Sequence, residues 1–201
     1  QALVAAAGIG VLTWVNVKGV SEAATVQLVM TILEIIPLIV IIGLGIIYGD
    51  IDNFPAFNPQ GLPVTEALAS TALLTMWAFI GIEAAVIATD DVESPKKTIP
   101  IAVVSAAITV SCLYVGASIA IMFLVPSDVL ALSESPFVDA ASHMGTGGAL
   151  LIGIGALIST AGALNGNIFV MGQIAMAVAA DGLAPAVIAK KNRGGAPAGV
   201  L

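Results

Sequence analysis

The sequence predicts an all-α fold, a polytopic bundle of transmembrane helices, on three observations. Of its 201 residues, 59% are apolar and only 9% are charged, and the mean hydropathy is +1.08. A soluble domain is about 45–50% apolar and about 25% charged, so this chain has too few charges to cover a water-facing surface. The 21 glycines and an aromatic share of only 5% favour close packing through small side chains, the habit of membrane bundles. The apolar residues also gather into long runs separated by segments rich in Pro, Gly, Asp and Ser. Soluble and disordered classes are thereby excluded.

A membrane-crossing helix needs about 20 mainly apolar residues. The first run, 2–17, is slightly short. The second, 25–48, is interrupted only by Glu34 and Pro37. The third, 67–89, contains Glu83, and the fourth, 99–125, carries no charge. The fifth, 149–180, exceeds what a perpendicular helix requires, so it should tilt or project past the bilayer. Gln1 lies inside an apolar stretch, and another apolar run begins near Leu201. The chain therefore reads as a single membrane domain within a longer protein.

The few charges orient these spans. Lys18 follows the first span, Lys96 and Lys97 precede the fourth, and Lys190, Lys191 and Arg193 follow the fifth. These are all six basic residues, and a five-span reading puts every one on the same side. The loops on the other face, 49–66 and 126–148, carry Asp50, Asp52, Glu66, Asp128, Glu134 and Asp139 and no Lys or Arg. The positive-inside rule predicts a cell-membrane protein whose loops at Lys18, Lys96 and Lys97, and whose C-terminal tail, are cytoplasmic. The net charge of −7 says little about function, because position matters more than the sum.

Ionisable residues within spans cost about 2.5–3.5 kcal/mol on insertion scales, which makes each a functional candidate. Glu83 ends the run Trp77-Ala78-Phe79-Ile80-Gly81-Ile82-Glu83. A helix broken at Gly81 would expose unpaired carbonyls on its first half, from about Trp77 to Ile80, and unpaired amides on its second half. Such carbonyls attract a cation such as a substrate ammonium, and the amides favour the Glu83 carboxylate. Trp77, one turn earlier, would wall or lid the substrate. The alternative has Gly81 as a close-packing position and Glu83 protonated and bonded to a neighbouring helix. Glu34 stands beside Pro37, which removes a backbone hydrogen bond and predicts a kink. Glu34 either faces a polar cavity opened there or pairs with a polar group on another span.

In the fifth span, Ser159 and Thr160 are expected to bond back to preceding carbonyls. Asn165 and Asn167 need several partners away from water. His143 reads as a solvated loop residue, Asp181-Gly182 with Pro185 as a helix stop, and Pro100 as the start of the fourth span. The lone Cys112 forms no disulfide framework. No metal-ligand spacing, phosphate loop, nucleophile elbow or basic nucleic-acid patch occurs. No catalytic residue, metal, cofactor or nucleic acid is therefore expected.

The run from Trp77 to Glu83, followed by Glu93-Ser94-Pro95-Lys96-Lys97-Thr98-Ile99-Pro100, resembles the amino acid–polyamine–organocation (APC) permeases. The likeness is strongest to the basic amino acid/polyamine antiporter branch, the arginine/agmatine exchanger-like one. Asn16-Val17-Lys18-Gly19, Ser135 to Ala141 and Ala179 to Pro185 are shorter similar pieces, so the likeness covers essentially the whole chain. It implies a two-repeat, inverted-topology (5+5) transporter of twelve helices, with the five spans as helices four to eight. It also implies that the backbone carbonyls of Trp77 and Ile80 hold a substrate amino group beside Gly81. Trp77 would close over the substrate, and Glu83 would gate or sense protons. Two residues depart from the branch. Asn167 stands where the exchanger has an aromatic substrate contact, and Glu34 where many relatives have a lysine. The first leaves smaller or more polar substrates open, and the second makes Glu34 a candidate proton or cation site.

The resulting expectation is a secondary active transporter of amino acids or related amines, working by alternating access through exchange or proton coupling. Its partners would be that small molecule, protons and the lipid bilayer, with a homodimer allowed. An ion channel subunit and a non-transporting membrane structural protein are the rival readings. A channel should show a pore-lining ring or filter, whereas this chain offers one broken-helix candidate. No enzyme is expected.

Overall fold

The computed structural model describes residues 2–58, 61–76, 81 and 92–196. Its helices are α1 (Ala2–Lys18), α2 (Val20–Tyr48), α3 (Val64–Met76), α4 (Pro95–Leu124), α5 (Ser127–Leu130), α6 (Pro136–Ala140) and α7 (Thr146–Ala180). Two 3-10 turns, Ile51–Asn53 and Ala141–Met144, complete the described secondary structure. Among the described residues, α2, α4 and α7 are long and apolar enough to cross a membrane. Their outer faces are strongly apolar. Ile46 is 81% exposed and Leu157 is 73% exposed, a distribution suited to lipid and costly in water.

The chain divides into two compact units. One takes residues 1–36, 86–95 and 154–201, so its described helices are α1, the first part of α2 and most of α7. Its α1 and α2 are separated only by Gly19. Lys18 ends α1, where a cation suits the helix dipole, and its ammonium lies 3.7 Å from the centroid of the Trp14 ring. Trp14 is one turn back on the same face, so Lys18 extends along the helix end. At the other end of this unit, α7 stops where the sequence places a stop. The Leu183 amide donates to the Val178 carbonyl (3.1 Å) and the Gly182 amide to Ala179 (3.1 Å), with Gly182 at φ +78°. That left-handed residue closes a Schellman-type end.

The second unit takes residues 37–85 and 96–153. Its core joins Ile41 of α2, Ala120, Ile121 and Leu124 of α4, Ala140 of α6, and Ile152 of α7, with Val125 and Ala141 between them. Small residues allow the two long helices to meet closely. A Cβ added at Gly45 would lie 2.5 Å from the Ala120 Cβ and 2.7 Å from its Cα. Helix association in lipid relies on such packing, because hydrocarbon supplies no hydrophobic drive between helices. The turn after α2 then covers the end of α4. Both the Asp50 amide (2.9 Å) and the Asn53 Nδ2 (2.8 Å) donate to the Phe123 carbonyl, one of the last carbonyls of α4 that no helical amide satisfies. Phe54 packs its ring on Phe123 with centroids 5.4 Å apart.

Two features differ from the sequence reading, the start of α4 and the setting of His143. Helix α4 begins at Pro95, ahead of the expected Pro100, because a proline at the first helical position gives up only an amide that has no partner there. Pro100 lies inside the helix. Helix α2 holds Pro37, buried, in its interior, and the division between the two compact units falls at this residue. His143 is exposed but not merely solvated: its ring stacks on Tyr48 with centroids 5.4 Å apart and planes 7° from parallel.

Replacing Gly45 by Ala should destabilise the intact protein by about 1–3 kcal/mol, since the new methyl overlaps α4. Gly43→Ala is the matched control, because among the described residues nothing lies within 4 Å of a Cβ there. Thermal melts of the two detergent-purified variants should therefore separate, with only the first falling.

Candidate functional site

The candidate residues fall in two places, and each belongs to its own unit. The first is the end of α3. Helix α3 is described as far as Met76, and Gly81 has φ +105°, a backbone conformation that right-handed helix does not contain. Helical geometry is therefore not sustained at Gly81. Among the described residues nothing lies within 4 Å of a Cβ built on it, so glycine is required there by backbone conformation rather than by space. Trp77, Ile80 and Glu83, the other candidates of this segment, lie outside the described residues.

The second place is the seam between α2 and α7. Glu34 is half-buried on α2, and the Ser159 hydroxyl of α7 is a hydrogen-bond partner of its carboxyl. A Cβ added at Gly162, one turn beyond Ser159, would stand 3.5 Å from Glu34 Oε2 and 3.8 Å from Gln27 Nε2. Glu34 and Gln27 thus face the same glycine on α7. Ser159 pairs across the seam instead of only bonding back, whereas Thr160 does bond back, to Ala156 (2.8 Å).

Next along the seam is a chain of amides. Asn16 Nδ2 of α1 donates to Asn165 Oδ1 of α7 (2.9 Å), and Asn165 Nδ2 donates to Gln27 Oε1 of α2 (2.9 Å). The same Asn165 nitrogen reaches the Ala23 carbonyl (3.3 Å), and Asn16 Nδ2 also donates to Leu12 (2.9 Å). Asn165 is 1% exposed and Asn16 3%. Three helices are therefore joined by side chains that would each be costly alone in a low-dielectric interior. One atom, Asn16 Oδ1, has no partner among the described residues.

Asn165 finds the several partners its type demands. Asn167 does not join them: its side chain is exposed and Nδ2 bonds back to the Ala163 carbonyl (2.9 Å) of the same helix. Sequence reasoning missed Gln27, a lone amide in an apolar run, and noticed Asn16 only within a short motif. Their isolation among apolar neighbours was the available signal. The groove of about 390 Å³ beside the chain is lined by Gln27, Thr31, Asn165 and otherwise mainly apolar groups. Among the described residues that line it, none is acidic. Among the described residues, no group of His, Cys, Asp and Glu is arranged to hold a metal.

A family model described as amino acid permease matches residues 1–201. The putrescine transporter PotE of Haemophilus influenzae is 34% identical over 144 residues, 71% of this chain and 33% of that protein. A cadaverine/lysine antiporter of Escherichia coli K12 is 27% identical over 189 residues, 93% of this chain and 43% of that protein. The chain thus spans less than half the length of these curated relatives.

Two measurements probe this geometry. Asn165→Ala removes the middle of the amide chain and should lower stability by about 1–3 kcal/mol, because buried donors and acceptors lose their partners. Asn167→Ala should stay within about 0.5 kcal/mol. Equal melting temperatures for the two variants would contradict the structural division between them. Gly81→Ala should cost roughly 1–2 kcal/mol through left-handed backbone strain alone, read from the same melts.

Proposed function

The chain belongs to the amino acid permease family, and from that premise we propose that the intact protein is a secondary active transporter of amino acids or related amines. It is a multi-pass membrane protein by its family and its long apolar helices. In this reading it works by alternating access, by exchange or with protons, and performs no chemistry on its substrate. The observation that carries the reading is the backbone at Gly81, whose φ of +105° departs from helix within the apolar run that the sequence places at Trp77 to Glu83. Interrupted helices leave carbonyls and amides without intrahelical partners, and these are the groups with which transporters bind charged substrates at mid-membrane.

The relatives are named for putrescine, cadaverine and lysine. These molecules share a primary ammonium, and two of them have no carboxylate. The group most economically recognised in common is therefore the ammonium. The backbone carbonyls of Trp77 and Ile80 are assigned to it, with Trp77 as the closing aromatic wall. Asn167, exposed on α7, is assigned to the polar end of the substrate. Glu83 is assigned to gating or proton sensing, and Glu34, with Ser159 at its side, to proton or cation coupling. The ends bearing Lys18, Lys96, Lys97 and the tail after α7 are assigned to the cytoplasm under the positive-inside rule.

Counterflow in proteoliposomes holding the intact protein, with a panel of amino acids and diamines, tests the reading. Exchange of at least one cationic substrate is expected. A steady ion conductance without exchange of any substrate would overturn it in favour of a channel. Glu83→Gln should flatten the pH dependence of exchange, and an unchanged profile would remove Glu83 from proton sensing. Glu34→Leu should change the proton-to-substrate ratio and not merely the amount of protein in the membrane.

A further inference from the structure

Beyond α7 the chain folds back onto the turn between α1 and α2, and the contact is built around one side chain. Asn192 is half-buried, and its Nδ2 donates to the Val17 carbonyl. Its Oδ1 accepts from the amides of Gly194 (2.9 Å) and Ala196 (3.0 Å), closing a compact turn. The backbone repeats the closure, with the Asn192 amide donating to Ala196 (2.9 Å) and the Gly195 amide to Asn192 (3.1 Å). From this turn the Gly194 carbonyl accepts from the Val20 amide (3.1 Å).

The two outward bonds are chosen by the ends of the helices. Val17 supplies one of the last carbonyls of α1 and Val20 one of the first amides of α2, and neither class has an intrahelical partner. One short turn thus satisfies a group from each helix. The approach is also close. A Cβ on Gly194 would come 2.2 Å from the Lys18 carbonyl oxygen and 2.8 Å from the Gly19 Cα, so a side chain there would have to displace backbone. Ala196, which ends the turn, is 1% exposed. All these residues belong to one unit, along with the amide chain that joins α1, α2 and α7 further along.

We infer that Asn192 is the positioning residue of a permanent clasp that binds the segment after α7 to the α1–α2 turn. With the Asn16–Asn165–Gln27 chain it provides a second attachment along the same helices. Two separated attachments resist both sliding and splaying, so α1, the first part of α2 and most of α7 travel as one body. The role in transport rests on the proposed function; the clasp itself does not. Among the described residues its hydrogen bonds run within the turn and to Val17 and Val20, and in this proposal it acts on the rate of the conformational change and not on binding.

Hydrogen–deuterium exchange of the intact protein, with and without putrescine or lysine, reads the clasp directly. The amides of Val20, Gly194 and Ala196 should be protected equally in all conditions. Asn192→Ala should speed their exchange about fivefold or more, the equivalent of about one hydrogen bond. In proteoliposomes it should lower the maximal exchange rate with KM unchanged. Asn192→Asp, which keeps the two acceptors and loses the donor to Val17, should fall between. Substrate-induced loss of protection in the wild type would overturn the proposal, because the clasp would then be a gate that opens. Wild-type transport by a folded Asn192→Ala protein with unprotected amides would also overturn it. If Asn192→Ala does not fold, the wild-type comparison still decides. A wild type that moves no amine or amino acid, with these amides protected, would defeat the transport reading and leave the clasp standing.

Discussion

A backbone or side-chain polar group inside hydrocarbon has no water to fall back on, and each one left alone costs several kcal/mol. This demand governs where the chain spends its few polar residues. The long helices satisfy their own interiors, so the difficulty concentrates at their ends, at prolines and at polar side chains. The Phe123 carbonyl at the end of α4 is taken by the Asp50 amide and Asn53. The end of α7 is closed by Gly182. The ends of α1 and α2 are met by the Asn192 turn. The same demand makes Asn16, Asn165 and Gln27 seek one another, since no single helix can satisfy all their donors and acceptors.

In the proposed function this discipline is combined with places where it is broken. Gly81 is such a place, a residue whose φ of +105° departs from helix within an apolar run. In the proposed function the ligand served there is a substrate ammonium. The seam carrying Glu34, Ser159 and Gly162 is a milder case. An acid is admitted to the bundle because a hydroxyl and a small residue on the facing helix leave it room and a partner.

The packing follows the same economy. Gly45 against Ala120 brings α2 and α4 together through small residues, while large side chains such as Ile46 and Leu157 face outward. In water that arrangement would be inverted. In lipid, contact area between helices is gained by close approach rather than by hiding oily groups, and the low share of aromatic residues is a consequence.

Composition and the placement of charges determined by themselves that this is a helical membrane protein, and isolated residues in the apolar runs singled out Gly81, Glu34 and Asn165 as candidates. These properties are local: apolarity, a proline, a glycine and an isolated polar side chain carry their meaning with their neighbours in the chain. The tertiary structure alone decided who answers whom. Asn16 and Asn165 are 149 positions apart, and Asn192 meets Val17 across 175. Such pairings depend on the rotation and height of each helix against the next, which no local pattern encodes. That is why Asn165 and Asn167, alike on the sequence, part company. One turns inward to a partner on each neighbouring helix, and the other, two residues on and rotated away, bonds back to its own backbone.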